Sequence, residues 1–589
     1  MPSEEYKDFI KEAFIEPIRS VLIVDDDYPT FDEVLASQIK ANHQGRAPEM
    51  NPEKDWYRDP ISIQGVLNRF RASHQPLLVD IHDGSNVNIG EEYKAAGHLH
   101  QSDLLVLDYQ LDRHLQGDGT KAIDIARALG RSSHFNLVLV HTSEDLDRVF
   151  REMLIGMMPP FSNLINDDDN AAIGEKLFDL VDDYAKLESE LLQLATEEHY
   201  LHLRHSSDWP GSERPDGPSK AGFDEITAKL GIVEPREKDL VYRWAIKQRE
   251  KALSPRLNDE GSLNLSWSEE YPKWMRTDSV FIAFSNKGRN DDLLEELLQA
   301  LTAWRPRPSR LFLAALRKEL EDKGVLAESK ALGNNHVLAH WYKRLLESSG
   351  SEREVLVGES VTRHSEQLLN FVLPTVVNFA TRLVRSESDD ANGLCRQYFN
   401  VDLNDNREAA KSQIEHNAFV CSKKVEGYHL TTGHILRIGD DLFVCLSPSC
   451  DLVPGRKSEV RYGDIGDTLP FTAVRLQSFE GDKLPKRVQS NRFVFLKIDE
   501  TVKIFGLNDP TNEAASPHSF TFYASNEGRF LPNEKKLRVQ RIVSDNIGGL
   551  KSQLFDAEVI SQLRYEYALN LLQKLGSVSG RVGLDFVGK

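Results

Sequence analysis

Cysteine is scarce in this chain of 589 residues: Cys395, Cys421, Cys445 and Cys450 are the only four, and no two form a CxxC pair. Usage this sparse points to reduced thiols rather than a disulfide framework, and the spacing argues against a zinc site. Long apolar runs are missing as well. No stretch of 18 apolar residues occurs, and the opening MPSEEYKDFI lacks a basic segment followed by an apolar one. The expectation is a soluble, cytoplasmic protein with no membrane partner. Nor is there an excess of positive charge: 72 Lys plus Arg stand against 92 Asp plus Glu, a net charge of −20. That balance argues against a protein that coats polyanions along its whole length. The balance is uneven, because residues 421–589 hold 23 basic and 20 acidic side chains. A nucleic-acid contact, if made, belongs to the last third. No fixed-period repeat is present.

What the chain does have is a set of short apolar runs that end in polar residues. VLIVDDD at 21–27 and LLVLDYQLD at 104–112 each close on carboxylates. Such runs read as buried parallel strands whose C-terminal ends open into a crevice, where α/β sheets place their chemistry. Between them, 27–60 reads as a loop or insertion, 63–72 as a helix, 76–81 as a strand and 91–101 as a helix. A helix over 120–129 and a strand ending at Val140 continue the alternation, which predicts a flavodoxin-like, doubly wound parallel sheet. Then the pattern breaks. Residues 166–204 and 225–252 read as helical, separated by the Pro- and Gly-rich stretch 206–222. SVFIAF at 279–284 and the helix after it, opened by Asp291 and Asp292, read as the displaced last strand and helix of the sheet. Residues 309–384 read as helical, with Leu313, Leu316 and Leu320 on one face. From 419 onward short β-like runs between Gly, Pro and Asn suggest a small barrel or sandwich, closed by a helix over 557–576.

The expected divisions are therefore 18–160 and 277–304 for the sheet, 161–276 for a helical insertion, 305–390 for a helical connector and 411–589 for a β-rich output domain. Three acids gathered at one sheet edge repel one another unless a hard cation such as Mg²⁺ sits among them.

Asp25 and Asp26 after the first strand, Asp108 after the third, Thr142 after the fourth and Lys287 after the displaced fifth resemble the receiver domain of two-component response regulators. The resemblance implies that Asp108 accepts a phosphoryl group from a histidine-kinase-like ATPase. It also implies that Asp25, Asp26, Asp108 and the Gln110 carbonyl hold Mg²⁺, while Thr142 and Lys287 contact the phosphoryl oxygens. Such a protein is a phospho-acceptor regulator rather than an enzyme. The connections after Asp26 and Asp108 are longer than receivers usually have, and no Lys-Pro pair follows the fourth strand directly. Two other readings remain open at this point. One is a phosphate-independent, receiver-shaped scaffold in a bacterial stress or phage-defence system. The other makes the C-terminal domain an effector enzyme such as a nuclease.

For that domain Cys450, beside Asp451 and with His434 or His429 as base, is a candidate thiol nucleophile. Arg456, Lys457, Arg461, Lys486 and Arg487 could furnish a nucleic-acid or protein contact. The run GHILRIGDDLFVCLSPS is similar to the SH3-like barrels of bacterial toxin endoribonucleases, a likeness that implies fold alone. His199, His202 and His205 read as a solvated cluster at a helix end.

Overall fold

The computed structural model of the chain describes residues 4–30, 60–72, 76–84, 102–112, 117–205, 218–258, 263–287, 292–331, 333–387, 390–454, 465–479, 493–507, 517–531, 534–545 and 548–579, with 33, 35, 115, 261, 484, 485 and 488. The chain forms two compact units, Met1–Lys318 and Glu319–Lys589.

In the first unit the apolar runs form β1 (Ser20–Val24), β2 (Leu78–His82), β3 (Leu104–Leu107), β4 (Asn136–Thr142) and β7 (Val280–Asn286). They are parallel in the order β2-β1-β3-β4-β7. This is the flavodoxin-like arrangement, with the chain order reversing between β1 and β3. All four residues of β3 and the first five of β4 are buried, as expected where helices cover both faces of a sheet. The sheet is mixed rather than purely parallel. A short hairpin, β5 (Ser266–Ser268) and β6 (Trp274–Arg276), adds antiparallel strands beyond β7. Its three-residue strands are too short to give a periodic signal.

Helices α1 (Glu4–Ile10, continued as a π turn to Ile15), α2 (Pro60–Arg71), α3 (Thr120–Gly130) and α4 (Leu146–Met157) belong to this unit. In α4 the Asp145 side chain caps the first turn by accepting the Arg148 N–H. The helix expected over 91–101 lies outside the described residues. Residues 166–204 form three helices, α5 (Asp167–Asp179), α6 (Tyr184–Leu194) and α7 (Glu197–His205). Of the loop expected over 206–222, residues 206–217 lie outside the described residues and 218–222 belong to α8 (Pro218–Lys229), which starts at a proline; α9 (Pro235–Leu253) again has proline in its first turn. Tyr200, Phe223, Trp244 and Ile246 of these helices share one buried cluster with Leu105, Val138 and Phe284 of the sheet. Each such side chain stabilises the fold by roughly 1.5–3 kcal/mol. Helix α10 (Leu293–Trp304) is capped by Asp292, while Asp291 lies outside the described residues. No helix among the described residues is long and apolar enough to cross a membrane.

Helix α11 (Pro308–Ala331) contains the division between the units. Its buried positions are Leu311, Ala315 and Ala327, whereas Leu313 is 64% exposed, so the face expected from Leu313, Leu316 and Leu320 is rotated. The second unit continues with α12 (Asn335–Glu347), α13 (Gly350–Ser386), α14 (Ala391–Phe399) and α15 (Asn406–Cys421). After the short β8 (Ser422–Lys423) come β9 (His434–Ile438), β10 (Asp441–Cys445), β11 (Leu469–Phe479), β12 (Phe493–Ile498), β13 (Thr501–Gly506), β14 (Ser519–Ala524), β15 (Lys536–Ser544) and β16 (Leu550–Leu563). The order β10-β9-β16-β15-β14-β11, with β11 pairing back onto β10, closes a six-stranded barrel. Closure removes open strand edges.

Side chains alternate across the barrel wall. Leu436, Phe443, Cys445 and Phe471 join Phe522 and Val559 in one core, while Ile435 and Val444 pack with Cys421, Ala568 and Leu571 of the helices. The helix expected over 557–576 is shorter than that. Residues 557–563 complete β16 with alternating burial, and the helix α16 runs Tyr565–Ser579.

Candidate functional site: an acid and lysine crevice

The ladder of the parallel sheet runs one residue past each strand. Asp25 donates its N–H to the His82 carbonyl (3.0 Å), Asp108 to Val24 (2.9 Å) and Lys287 to Thr142 (2.8 Å). These backbone bonds hold Asp25, Asp108, Thr142 and Lys287 at the C-terminal edge of adjacent strands. Burial there is deep: Asp25 is 3% exposed, Asp108 7% and Thr142 1%.

The two carboxylates divide their oxygens in the same way. Asp25 Oδ1 accepts the Asp27 N–H (2.9 Å) and Asp108 Oδ1 the Tyr109 N–H (2.9 Å). The remaining oxygens both face Lys287, whose Nζ is 2.8 Å from Asp25 Oδ2 and 3.1 Å from Asp108 Oδ2. Two acids sharing one ammonium leave a surplus negative charge. Burial, the largest cause, pushes the Asp108 carboxyl up to about 7; Lys287 opposes this and Asp25 adds to it. Lys287 moves above the ordinary lysine range, because Asp25 and Asp108 overcome the opposing cost of its burial.

Around this pair stand groups that sequence reasoning missed. Tyr28 is pushed up to about 12 by burial and then by Asp25. His141 is pulled down to about 4 by burial and then by Lys287, and its Nδ1 lies 3.1 Å from Ser285 Oγ. Nothing in the spacing of an aromatic and a histidine marked them. The Thr142 hydroxyl accepts the Glu144 N–H (3.2 Å). Gln110 folds its side chain into its own loop, Oε1 accepting from Gly117 N–H (3.3 Å).

Asp25, Asp26 and Asp27 can each bring a carboxylate oxygen within 4.8 Å of the others. Hard oxygen donors at this separation, beside a surplus negative charge, fit a hard divalent cation. Asp27 is an acid the candidate ligand set left out.

The loop after Asp108 is pinned to α4. Tyr109 is buried, its hydroxyl donates to Glu152, and Arg148 reaches both Glu152 (3.8 Å) and the Gly117 carbonyl (3.4 Å). Gly119 lies against the Tyr109 ring so closely that an added Cβ would stand 2.0 Å from it.

The C-terminal candidates are differently placed. His434 is fully buried, accepts the Thr431 N–H at Nδ1 (3.2 Å) and is pulled down to about 3 by burial. Cys450 is exposed on a short 3-10 turn, its thiol 3.7 Å from Asp451 Oδ1. Arg456, Lys457, Arg461, Lys486 and Arg487 lie outside the described residues.

A flavodoxin-like sheet with paired acids after β1, an acid after β3, a hydroxyl after β4 and a lysine after β7 defines a receiver-type module. Residues 17–188 match the family model described as a response receiver domain, which is consistent with a divergent receiver domain in this segment. The match takes in α5 and part of α6 but stops before β7, and the rest of the chain is unassigned. No curated protein and no solved structure matches the chain. The family suggests response-regulator-like signalling and, in general, a kinase-type partner.

Proposed function

We propose that the first unit is a phospho-acceptor. The Asp108 carboxylate would take a phosphoryl group from the phosphohistidine of a histidine-kinase-like ATPase, the imidazole leaving as the aspartyl oxygen bonds to phosphorus. The observation that carries this reading is the 3.1 Å approach of Lys287 to Asp108 across a buried crevice. A carboxylate is a weak nucleophile, so the reaction depends on positioning and on neutralising the charge of the incoming group.

Asp25, Asp26 and Asp108, with the Gln110 carbonyl, would hold Mg²⁺, which when bound supplies charge neutralisation at the phosphoryl oxygens. Lys287, a mobile point charge on a flexible stem, would exchange its contact with Asp108 Oδ2 for a phosphoryl oxygen. The Thr142 hydroxyl would donate to a second. Charge added at Asp108 thereby redistributes contacts at the strand ends, and the β-rich second unit is the output this signal would control.

The test is incubation with acetyl phosphate and Mg²⁺ followed by intact mass. The expected result is one added phosphoryl group, lost in Asp108→Asn and on chelation. Well-folded protein that gains no mass overturns the proposal.

A further inference from the structure

β15 and β16 outrun the closure of the barrel. β15 meets β14 only as far as Gln540, and β16 meets β9 only as far as Ala557, opposite Ile438. Residues 550–556 thus have β15 on one side and, among the described residues, no strand on the other. Main-chain groups alternate along this stretch. The Gly549 carbonyl accepts the Asp545 N–H (2.9 Å) and the Val559 N–H donates to the Lys535 carbonyl (2.8 Å), so odd-numbered residues bond toward β15. Leu550, Ser552 and Leu554 therefore aim their N–H and C=O groups at the open edge. Their side chains lie on the outer face, where Leu550 is 78% exposed and Leu554 55%.

An edge of this kind is a template for another strand, and native proteins cover or blunt it. We propose that the same edge of a second copy covers it, as an antiparallel pair about a twofold axis at Ser552. In that register Leu550 lies opposite Leu554 of the second copy, and the symmetry repeats the contact. Gly549 falls opposite Phe555, a cross-strand ring of the sort that shelters an edge glycine. Lys551 falls opposite Gln553. An axis at residue 551 would set Lys551 against itself, and one at 553 would set Leu550 against Asp556, so neither neighbouring register matches.

Charge selects the same occupant. A net charge of −20 makes two copies repel over most of their surface, whereas GLKSQLF at 549–555 carries only Lys551. The pairing is short, which places it among weak, reversible interfaces. It rests on no part of the phospho-acceptor reading and makes the second unit the point where two chains join.

The test uses the full chain in a Cys450→Ser background. Ser552→Cys puts a thiol on the axis, where hydrogen-bonded partners stand about 5.5 Å apart at Cα, within disulfide reach. It should give a covalent dimer under mild oxidation, read on a non-reducing gel. Leu550→Cys and Leu554→Cys chains should link when mixed, and neither should link to itself. Sedimentation velocity of the unaltered chain across a dilution series should show a reversible dimer. Leu550→Lys, at an exposed position that leaves the fold intact, should shift it to monomer. A dimer that survives Leu550→Lys overturns the proposal, as does a Leu550→Cys chain that links to itself as fast as to Leu554→Cys. A chain that stays monomeric at every concentration, with Ser552→Cys unlinked, also overturns it and leaves the edge to a strand of another protein.

Discussion

The Tyr109 hydroxyl donates to Glu152, and through this bond the residue directly after Asp108 is fastened to α4. The ring occupies the space above Gly119, whose φ of −98° is open to any residue, so glycine is required there by space alone. Gly119→Ala should therefore destabilise the first unit by about 1–3 kcal/mol, the usual range for overpacking. Tyr109→Ala, costly in itself, should cost less in the Gly119→Ala background than in the unaltered chain. A double-mutant cycle by urea denaturation checks it, and strict additivity would contradict the contact.

Lys287 is a single counter-ion shared by two buried acids, and its side chain is about a quarter exposed. Breaking a buried pair from one side costs roughly 3–5 kcal/mol, and partial solvation brings the expectation for Lys287→Met to about 2–3 kcal/mol. Asp108→Asn has the opposite sign, since it removes the surplus charge. It should hold or raise the denaturation midpoint at pH 8, where the unaltered carboxyl is largely ionised.

His434 gives the barrel a pH dependence of definite sign. Its folded pKa of about 3 lies below the ordinary 6.5, so between these values the unfolded chain binds a proton that the folded chain does not. The stability contributed by the neutral ring is complete above pH 6.5 and is lost as pH falls toward 3. Between pH 7 and 5 the loss should be about 2 kcal/mol. His434→Asn, which keeps an acceptor for the Thr431 N–H, should flatten that slope in chemical denaturation followed by alkylation of Cys445, which is buried in the barrel wall.

Thiol chemistry should follow burial. Cys450 is exposed, while burial pushes the Cys421 and Cys445 thiols up to about 11 and 12. Iodoacetamide at pH 8 should label Cys450 first and Cys445 last, as read by peptide mass. Early labelling of Cys445 would contradict the closed barrel.

The strands that build the crevice were legible because β1, β3, β4 and β7 are apolar runs buried on both faces, and each ends where a polar residue emerges. That made Asp25, Asp108, Thr142 and Lys287 visible as strand-end residues. The Tyr109 to Glu152 bond was not visible, since it joins a loop to a helix through one tertiary contact with no periodic signature. The end of β16 was misread for a related reason. Residues 557–563 carry apolar side chains at spacings that suit a strand or a helix, and pairing with β9 and β15 decides between them. The turn of α11 likewise depends on which neighbours cover it, not on its leucines.

Because β7 lies beyond the inserted helices, the sheet has a built-in delay during synthesis. About 140 residues separate β4 from β7, or roughly 7–30 s of ribosomal elongation. Through that interval Asp25 and Asp108 stand at the sheet edge without the lysine they share, and β4 has an open side. The nascent chain acquires its last parallel strand and its counter-ion in one event, so the crevice cannot be completed before the helices that separate its two halves have been made.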